Sequence, residues 1–471
     1  MKLFIQGQQT DNYYSLSQSE REVNVKSFGA AGNGIVDDTA AINNALNQGL
    51  NIYFPSGTYL VTGIVLKYGQ RIRGESRANT IIKSTTNAPI ISFGSGNVDF
   101  VYISDLKILG SQNAGVLQHG IAVLPAQSSN HICRVHIHSC GGNGIDFSGV
   151  ITNAGNDEWN IENSKIQSCS GYGISCTTQL ATSVFTNIEC YANTKGGWLF
   201  DSELYPIDGL TFIRCLNFRN ESPLGAICNG WDIKRRCNGF TWLNCWSESS
   251  GSYSTPDDAR ISSSWRITTG GNANLLFINP RSTVQTRSFW ISNNTTGVKI
   301  DSPTFAYSAL YRSSADILIE KGSSAEILNP KSAAGLGSEL IIASFDINTI
   351  VRFFGVQIPA AGNRVARGAV YEYSDGTINR ILTGGVTEGL YGGVTWSGTA
   401  GSNVITAASG HTLMLGDHII IPGGGTAGVD LHAYITDMAM NTLAATIDRN
   451  LVQTITTSLI RSGNYSTSTS I

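Results

Sequence analysis

The sequence predicts an all-β fold in which short parallel strands stack into a solenoid, with a capping helix before it and a small C-terminal β-domain after it. The main observation is an internal repeat of variable length, in which each unit holds two short segments of period-2 alternation separated by Gly, Asn or Ser turns. The first segments of five successive units read VHIHSC, SKIQSC, TNIECY, FIRCLN and WLNCWS, and the second read GIDFSG, GISCTT, GWLFDS, GWDIKR and SWRITT. No long stretch of this middle region shows helical periodicity, so the repeat predicts strands.

Stacking of the second segments predicts two continuous columns of core side chains. Neighbouring strands lie about 4.8 Å apart, so equivalent residues of successive coils line up. The inner columns are Ile145, Ile174, Trp198, Trp231 and Trp265 and, two residues later, Phe147, Cys176, Phe200, Ile233 and Ile267. A β-sandwich with coincidental spacing is the alternative. The register that both columns keep over five units favours the solenoid.

The segment before the first coil predicts a cap. A glycine-rich turn precedes Asp38, which is a suitable N-cap for a helix beginning at Thr39, and the strand–turn–strand segment NIYFPSGTYLV follows. Because a solenoid exposes its core at its ends, an amphipathic helix here would cover it. The turn lacks the GK[ST] of a phosphate loop and places Asp37 and Asp38 where an anion would sit, which argues against nucleotide binding.

The chain changes character after the regular coils. Beyond about Ser302 the alternation weakens, and a segment rich in strands and Gly turns begins near Val394. We expect four regions: an N-terminal lead or attachment peptide at 1–24, the β-helix at 25–330, an irregular β extension at 331–393, and a small β-domain with a frayed tail at 394–471.

Composition excludes several classes of function. The 471 residues carry 31 Lys+Arg against 34 Asp+Glu, a net charge of -3, and only 14% are charged. This near-neutral balance gives no electrostatic reason to expect nucleic acid as a partner, and no apolar run approaches the ~18 residues of a membrane helix. The hydrophobic fraction of 41% supports a large core, and the nine cysteines are expected to be reduced and buried in it.

The opening of the predicted solenoid resembles a known family. The segment VKSFGAAGNGIVDDTAAI followed by YFPSGTYLV is similar to the start of pectate-lyase-like right-handed β-helices, which is shared by many phage tailspikes and capsule depolymerases and by some secreted polysaccharide lyases and epimerases. The resemblance implies a right-handed helix with three parallel sheets, a homotrimer, and a bacterial polysaccharide as ligand. It further implies a virion protein that is assembled in the host cytoplasm, acts at the host cell surface and contacts other tail proteins through its N-terminus. It supplies no catalytic residues, and no clustered-Asp calcium pattern is evident, so we expect no cofactor and no metal.

A polar column along the first segments is one candidate binding face. His136 and His138 alternate on a strand, with Lys165 and Gln167 on the next coil. We extend this column through Glu189, Arg214 and Asn244. It would suit sugar binding, and a polar solvent stripe is the alternative. The two histidines have no third metal ligand at a useful spacing.

The second segments carry the candidate catalytic face. The outward columns are Asp146, Ser175, Leu199, Asp232 and Arg266 and, two residues later, Ser148, Thr177, Asp201, Lys234 and Thr268. Asp201 and Asp232 would then have Cα atoms roughly 8 Å apart, a spacing that suits two carboxylates with water between them in an inverting glycosidase. The alternative is a structural ion pair between Asp201 and Lys234.

Two long connections, 218–230 and 248–264, would form walls beside this face. They bring Glu221, Glu248 and Tyr253, and either glutamate could replace a member of the aspartate pair. The expected catalytic residues are therefore Asp232, Asp201, Glu248 and Glu221. The expected substrate-binding residues are His138, Lys165, Glu189, Arg214, Lys234, Tyr253 and Arg266.

The resemblance implies a tailspike that acts on a capsule or O-antigen polysaccharide, and the paired carboxylates favour hydrolysis as the reaction. One alternative is a polysaccharide lyase, in which Arg or Lys neutralises a uronate and Lys, His or Tyr acts as base. The other is a spike that binds without cleaving. Leu199, Phe212 and Trp242 are expected to point outward and to contribute to a trimer interface. No GxSxG or HExxH motif occurs, which removes serine hydrolase and zinc protease chemistry.

Overall fold

The computed structural model confirms a parallel β-solenoid. It describes the following residues of the chain: 22–94, 96–150, 155–220, 228–248, 263–283, 288–306, 317–319, 323–329, 331–332, 341–344, 349–354, 364–365, 369–374, 379–382, 386–407, 418–421, 426, 431–438, 444–447, 450–451 and 453–465. Three long sheets form the walls of the solenoid, and each coil from residue 51 to residue 344 passes through sheet A, then sheet B, then sheet C.

The strands of sheet A are Glu22–Asn24, Asn51–Phe54, Arg71–Gly74, Tyr102–Ser104, His131–Cys133, Asn160–Glu162, Val184–Thr186, Thr211–Ile213, Thr241–Leu243, Gly271–Ile278, Thr295–Asp301, Ser324–Leu328, Thr349–Phe354, Ala369–Ser374 and Asn379–Leu382. Those of sheet B are Asn33–Asp37, Gly57–Leu60, Thr80–Lys83, Lys107–Leu109, His136–His138, Lys165–Gln167, Glu189–Tyr191, Leu216–Phe218, Trp246–Glu248, Arg281–Thr283, Thr304–Ala306 and Lys331–Ser332. Those of sheet C are Ile64–Leu66, Ile91–Phe93, Ile121–Val123, Ile145–Phe147, Tyr172–Cys176, Gly196–Phe200, Asn229–Ile233, Trp265–Ile267, Phe289–Ile291, Ile317–Ile319, Ile341–Ser344 and Arg364–Val365. A short sheet D follows sheet C in four coils, with strands Asn156–Asp157, Leu180–Ala181, Ile207–Asp208 and Cys237–Asn238.

The repeat unit therefore has three main strands, as the family resemblance implies, where the alternation alone indicated two. The strands of sheet A were not recognised as separate because, in the middle coils, only two residues lie between each of them and the following sheet B strand, as between Ile213 and Leu216, so the two short strands look like one segment. The chain turns from sheet A to sheet B at a single residue with positive φ, such as Arg214 (φ 52) or Asn244 (φ 53). This left-handed conformation reverses the chain sharply enough for the next strand to begin two residues later.

Both predicted core columns are confirmed. Ile145, Ile174, Trp198, Trp231 and Trp265 pair in register in sheet C and are fully buried. The indole rings of Trp198 and Trp231 stack with centroids 4.5 Å apart. Stacked, buried aromatic side chains combine a large apolar area with favourable ring contacts, so they stabilise the middle coils.

Two of the expected interface residues are core residues. Phe212 and Trp242 are fully buried, and they stack on each other with ring centroids 5.1 Å apart. The expectation that they point outward was wrong, because they occupy the middle of three-residue sheet A strands, whose central side chain faces inward. Leu199 is partly exposed on sheet C, as expected.

The N-terminal cap consists of a 3-10 helix, Val25–Phe28, and an α-helix, Thr39–Gln48. The helix begins where the sequence predicts, and it buries Ile42, Ala45 and Leu46. Asp38 precedes it but does not cap it through its side chain. The carboxylate of Asp38 instead accepts hydrogen bonds from the backbone N–H groups of Ala31 and Gly32, at 2.6 and 3.1 Å, and so holds the glycine-rich turn.

The C-terminal part contains six antiparallel strands that form a small closed sheet. They are Val386–Gly398, Val404–Ala407, His418–Ile421, Leu431–Met438, Ala444–Ile447 and Ile455–Tyr465. No helix in the described part of the chain is long and apolar enough to cross a membrane.

Candidate functional site

The outer face of sheet C carries the two polar columns that the sequence predicts. Asp146, Ser175, Leu199, Asp232 and Arg266 pair in register from coil to coil. Two residues later the register continues through the backbone, since the N–H of Asp201 bonds to the Cys176 carbonyl and the N–H of Lys234 to the Phe200 carbonyl. This regular stacking brings side chains about 30 residues apart in sequence into contact.

These columns assemble a charged cluster, which we define as Asp201, Asp232, Lys234, Arg235 and Arg266. Arg266 donates two hydrogen bonds of 2.7 Å to the two carboxylate oxygens of Asp232. The Lys234 ammonium lies 3.5 Å from Asp201 Oδ2 and 3.6 Å from Asp232 Oδ2, so these two oxygens are at most about 7 Å apart. Arg235 Nε donates to Asp201 Oδ1 at 2.7 Å. Each aspartate therefore contacts two cations. The two aspartates lie close together, as the sequence predicts, and the alternative ion pair of Asp201 with Lys234 is present as well.

Burial separates the roles of the two aspartates. The side chain of Asp232 is 2% exposed, whereas that of Asp201 is 14% exposed. Asp232 is also enclosed by the bidentate arginine, which leaves it little room to touch a ligand. Asp201 is the aspartate of the charged cluster that a ligand can reach.

Asp201 lines a pocket that lies just beyond the C-terminal ends of the sheet C strands in the middle coils. The pocket has a volume of about 300 Å³. It is lined by Gly149, Val150, Thr177, Thr178, Asp201, Ser202, Glu203, Leu204, Tyr205 and Arg235. Glu203, which the sequence analysis did not select, accepts a 2.7 Å hydrogen bond from Arg235 Nη1. Together with Asp201 it raises the pKa of the Arg235 guanidinium, which therefore stays charged.

Tyr172 is a second residue that sequence reasoning missed. It lies on sheet C in register with Gly196, and a Cβ atom at Gly196 would come within 3.2 Å of its ring. Burial raises the pKa of the Tyr172 hydroxyl, and the negative charge of Asp232 raises it further. The glycine at position 196, which has a φ of 143°, is the one feature of the sequence that could have indicated how closely the Tyr172 ring approaches the neighbouring strand.

A separate polar group lies three coils before Asp232 on the same face. Asp146 accepts 2.6 Å hydrogen bonds from Asn143 Nδ2 and Ser148 Oγ, and His119 Nε2 is 3.7 Å from its carboxylate. Burial lowers the pKa of His119, although Asp146 opposes the shift. Because Ser148 donates to Asp146 and no contact of Ser148 with His119 is present, the group does not have the order of a nucleophilic triad.

The polar column on sheet B differs from the prediction. The actual registers are His136–Lys165–Glu189–Leu216–Trp246 and His138–Gln167–Tyr191–Phe218–Glu248. Arg214 is therefore wrongly placed in this column, as is Asn244, because both are exposed corner residues between sheets A and B. The error arose because Cys215 and Cys245 precede the sheet B strands, whereas Cys140 and Cys169 follow them.

Glu248 belongs to this sheet B column. It ends the strand Trp246–Glu248 and pairs with Phe218 and Thr283, so it stands on a different sheet from Asp201 and Asp232. The structure thus does not bring Glu248 together with the charged cluster. The other two loop candidates, Glu221 and Tyr253, lie outside the described residues.

The outer face of sheet B also carries a half-buried aromatic row, which we define as Tyr191, Phe218 and Trp246. The rings of Tyr191 and Phe218 stack with centroids 5.5 Å apart, and the Arg281 guanidinium lies 4.5 Å from the Trp246 ring centre. Lys165 contacts Glu189 at 2.9 Å beside this row.

Two sheet B histidines precede the row. Burial lowers the pKa of His138, and the nearby charges of Lys107 and Lys165 lower it further. Burial also lowers the pKa of His136, which falls to about 4 because Lys107, His138 and Lys165 add to the effect. Both imidazoles are therefore neutral at pH 7.

Comparison with known proteins supports the family resemblance. Residues 22–190 match the family described as rhamnogalacturonase A/epimerase, pectate lyase-like. The pre-neck appendage protein of Bacillus phage phi29 is 26% identical over 197 residues, which cover 36% of this chain and 23% of that protein. The chain therefore aligns with only about a quarter of the length of this relative.

Two solved structures have the same fold over nearly the whole chain. ORF18 of Geobacillus virus E2 has a TM-score of 0.52 at 18% identity and covers 94% of this chain and 77% of its own. The tailspike protein gp49 of Pseudomonas phage LKA1 has a TM-score of 0.50 at 14% identity, and the match covers 94% of this chain and 100% of that protein. At these identities the likeness establishes the fold alone.

Proposed function

Because the chain carries a pectate lyase-like β-helix, we propose that it is a phage tail protein that binds and depolymerises a bacterial surface polysaccharide on the outer face of sheet C. The observation that carries the proposal is the charged cluster opening into a pocket of about 300 Å³. The description of the matching family supports a carbohydrate ligand. The likeness to a phage appendage protein and a phage tailspike supports a place in the virion.

The pocket suits a sugar ring in both size and chemistry. Its volume is at the lower end of the range for small-molecule sites, ~300–1,000 Å³. Arg235 supplies donors, Asp201 and Glu203 supply acceptors, and Leu204, 66% exposed, offers an apolar edge. A sugar presents the same mixture, with hydroxyl groups around its rim and C–H groups on its faces.

We infer hydrolysis as the reaction, with Asp201 and Glu203 as the carboxyl pair. Both are hydrogen-bonded to Arg235, so their nearest oxygens lie at most about 8 Å apart, within reach of the ~6.5–9.5 Å spacing of inverting glycosidases. Asp201, which contacts two cations, is assigned as the base that activates water. Glu203, which contacts one cation where Asp201 contacts two, is assigned as the acid that protonates the leaving oxygen. Asp232 acts as a positioning residue for Lys234.

A lyase reaction is the second candidate, because Lys234, Arg235 and Arg266 could neutralise a uronate carboxylate. Elimination then needs a base to remove the proton next to that carboxylate. The raised pKa of Tyr172 keeps its hydroxyl protonated, which makes it a poor base. This disfavours Tyr172 as the base of a lyase, and a spike that binds without cleaving is the other alternative.

The test is incubation of the protein with a panel of bacterial capsules and O-antigens, followed by two product assays. Hydrolysis yields new reducing ends, elimination yields an unsaturated sugar that absorbs ultraviolet light, and a binding spike yields neither. Once a substrate is found, Asp201→Asn and Glu203→Gln should each lose about 100-fold or more of the rate while retaining polysaccharide binding.

Glu22→Gln is the matched control, since Glu22 is also an exposed carboxylate paired with an arginine, Arg73, but stands on sheet A in the first coil. It should cleave at the wild-type rate. Unimpaired cleavage by both Asp201→Asn and Glu203→Gln would place the reaction away from the pocket.

A further inference from the structure

The outer face of sheet A brings together an imidazole, a thiol and a carboxylate from two neighbouring coils. His131 and Cys133 are the first and last residues of one strand, so both point away from the core while Ile132 points inward. Glu162 ends the next strand and is in register with Cys133. One ligand atom from each of these side chains lies within 4.8 Å of the other two, and His131 Nε2 is 3.1 Å from Glu162 Oε1.

We propose that His131, Cys133 and Glu162 bind a divalent transition-metal ion, with Zn²⁺ as the preferred occupant and water as the fourth ligand. The mixed nitrogen, sulfur and oxygen donors select a borderline-soft ion over Mg²⁺ or Ca²⁺, which prefer all-oxygen sites. Zinc bonds of ~2.0–2.3 Å in a tetrahedral arrangement place neighbouring ligand atoms roughly 3.3–3.5 Å apart. The imidazole and carboxylate are already at about this distance, and the sulfur needs to approach by little more than about 1 Å.

Exposure and local charge are compatible with a bound cation. The side chains of His131 and Glu162 are each 30% exposed, so an ion can reach them from solvent, whereas Cys133 is shielded at 1% exposure. Arg134 Nη1 donates to Cys133 Sγ at 2.9 Å, but this guanidinium also binds both oxygens of Asp105, at 2.6 and 2.7 Å. Asp105 therefore offsets the nearest positive charge, and a hydrogen bond to a metal-bound sulfur is a usual outer contact.

The His131 ring is also held in place before any ion binds. Tyr102, in register with His131 on the preceding coil, packs against the imidazole with ring centroids 4.8 Å apart and planes at 88°. An oriented imidazole loses less freedom on binding metal. In the described part of the chain, the His136–His138 pair on sheet B forms no comparable group of three ligands.

The test is a Co²⁺ titration of the full chain after treatment with a chelator, under a non-thiol reductant. We expect one Co²⁺ per chain, a thiolate-to-cobalt charge-transfer band in the near ultraviolet, and displacement of Co²⁺ by Zn²⁺. Cys133→Ser should abolish the band, and Glu162→Gln should weaken binding about tenfold or more. His136→Asn, which alters a histidine on the other sheet, should leave both unchanged.

A second measurement does not depend on the spectrum. Zn²⁺ should raise the thermal unfolding midpoint of the wild type and leave that of Cys133→Ser unchanged, because binding to the folded state alone stabilises it. Comparison of the metal-free midpoints shows whether each variant folds. A band that persists in Cys133→Ser, unaltered affinity in Glu162→Gln, or no saturable Co²⁺ binding by the wild type would overturn the proposal.

Discussion

Removing the arginine partner of the buried Asp232 should strongly destabilise the middle coils, because it leaves a poorly compensated charge in the protein. The change to make is Arg266→Met, which keeps a long apolar side chain and removes the charge. It leaves Asp232, 2% exposed, with Lys234 as its remaining cation at 3.6 Å. Removing one partner of a buried ion pair typically costs ~3–5 kcal/mol. Because Lys234 remains, we expect the lower end, about 3 kcal/mol of unfolding free energy.

The matched control is Arg235→Met. Arg235 also pairs with an aspartate of the charged cluster, but its side chain is 51% exposed, so its loss should cost less than about 1 kcal/mol. The measurement is the free energy of unfolding in urea, monitored by the fluorescence of the buried tryptophans. If refolding is incomplete, the unfolding rate is compared between the variants instead. The double variant Asp232→Asn with Arg266→Met leaves neither charge and should cost clearly less than the two single changes together. Equal costs for Arg266→Met and Arg235→Met would refute the reasoning.

Three further predictions concern the histidines, the cysteines and the assembly. The pKa of His136 falls from its ordinary 6.5 to about 4 because of burial and of Lys107, His138 and Lys165. The unfolded chain therefore binds a proton before the folded chain does, and stability should fall as pH drops from about 6.5 to about 4. His136→Gln should show a smaller loss in urea titrations at the two pH values, and an equal loss would contradict this assignment. All nine cysteines are buried, and thiol titration of denatured, unreduced protein should detect about nine thiols. A count near one would indicate disulfides instead. Light scattering at micromolar concentration should give about three times the 50.3 kDa chain mass, with the aromatic row of sheet B as a candidate contact, and a monomer mass would exclude the homotrimer.

The sequence by itself determined the solenoid and the face of sheet C. Side chains of a strand alternate between core and surface, so a repeated alternation fixes which residues stack when strands pair at a constant spacing. This is why the register from Ile145 to Trp265 and the outward row from Asp146 to Arg266 could be predicted without coordinates. The same reasoning brought Asp201 and Asp232 together.

The tertiary structure alone decided the position of the sheet A strands, the corners and the partners of the charges. The strand Thr211–Ile213 lies only two residues before the next strand, so alternation does not separate the two, and a corner residue such as Arg214 then shifts the apparent register of everything aligned through it. Sequence spacing likewise could not show that Glu203 reaches the pocket, or that Glu162 approaches His131 and Cys133. The first contact depends on the path of the chain beyond its strand, and the second depends on the register of sheet A, which the alternation did not reveal.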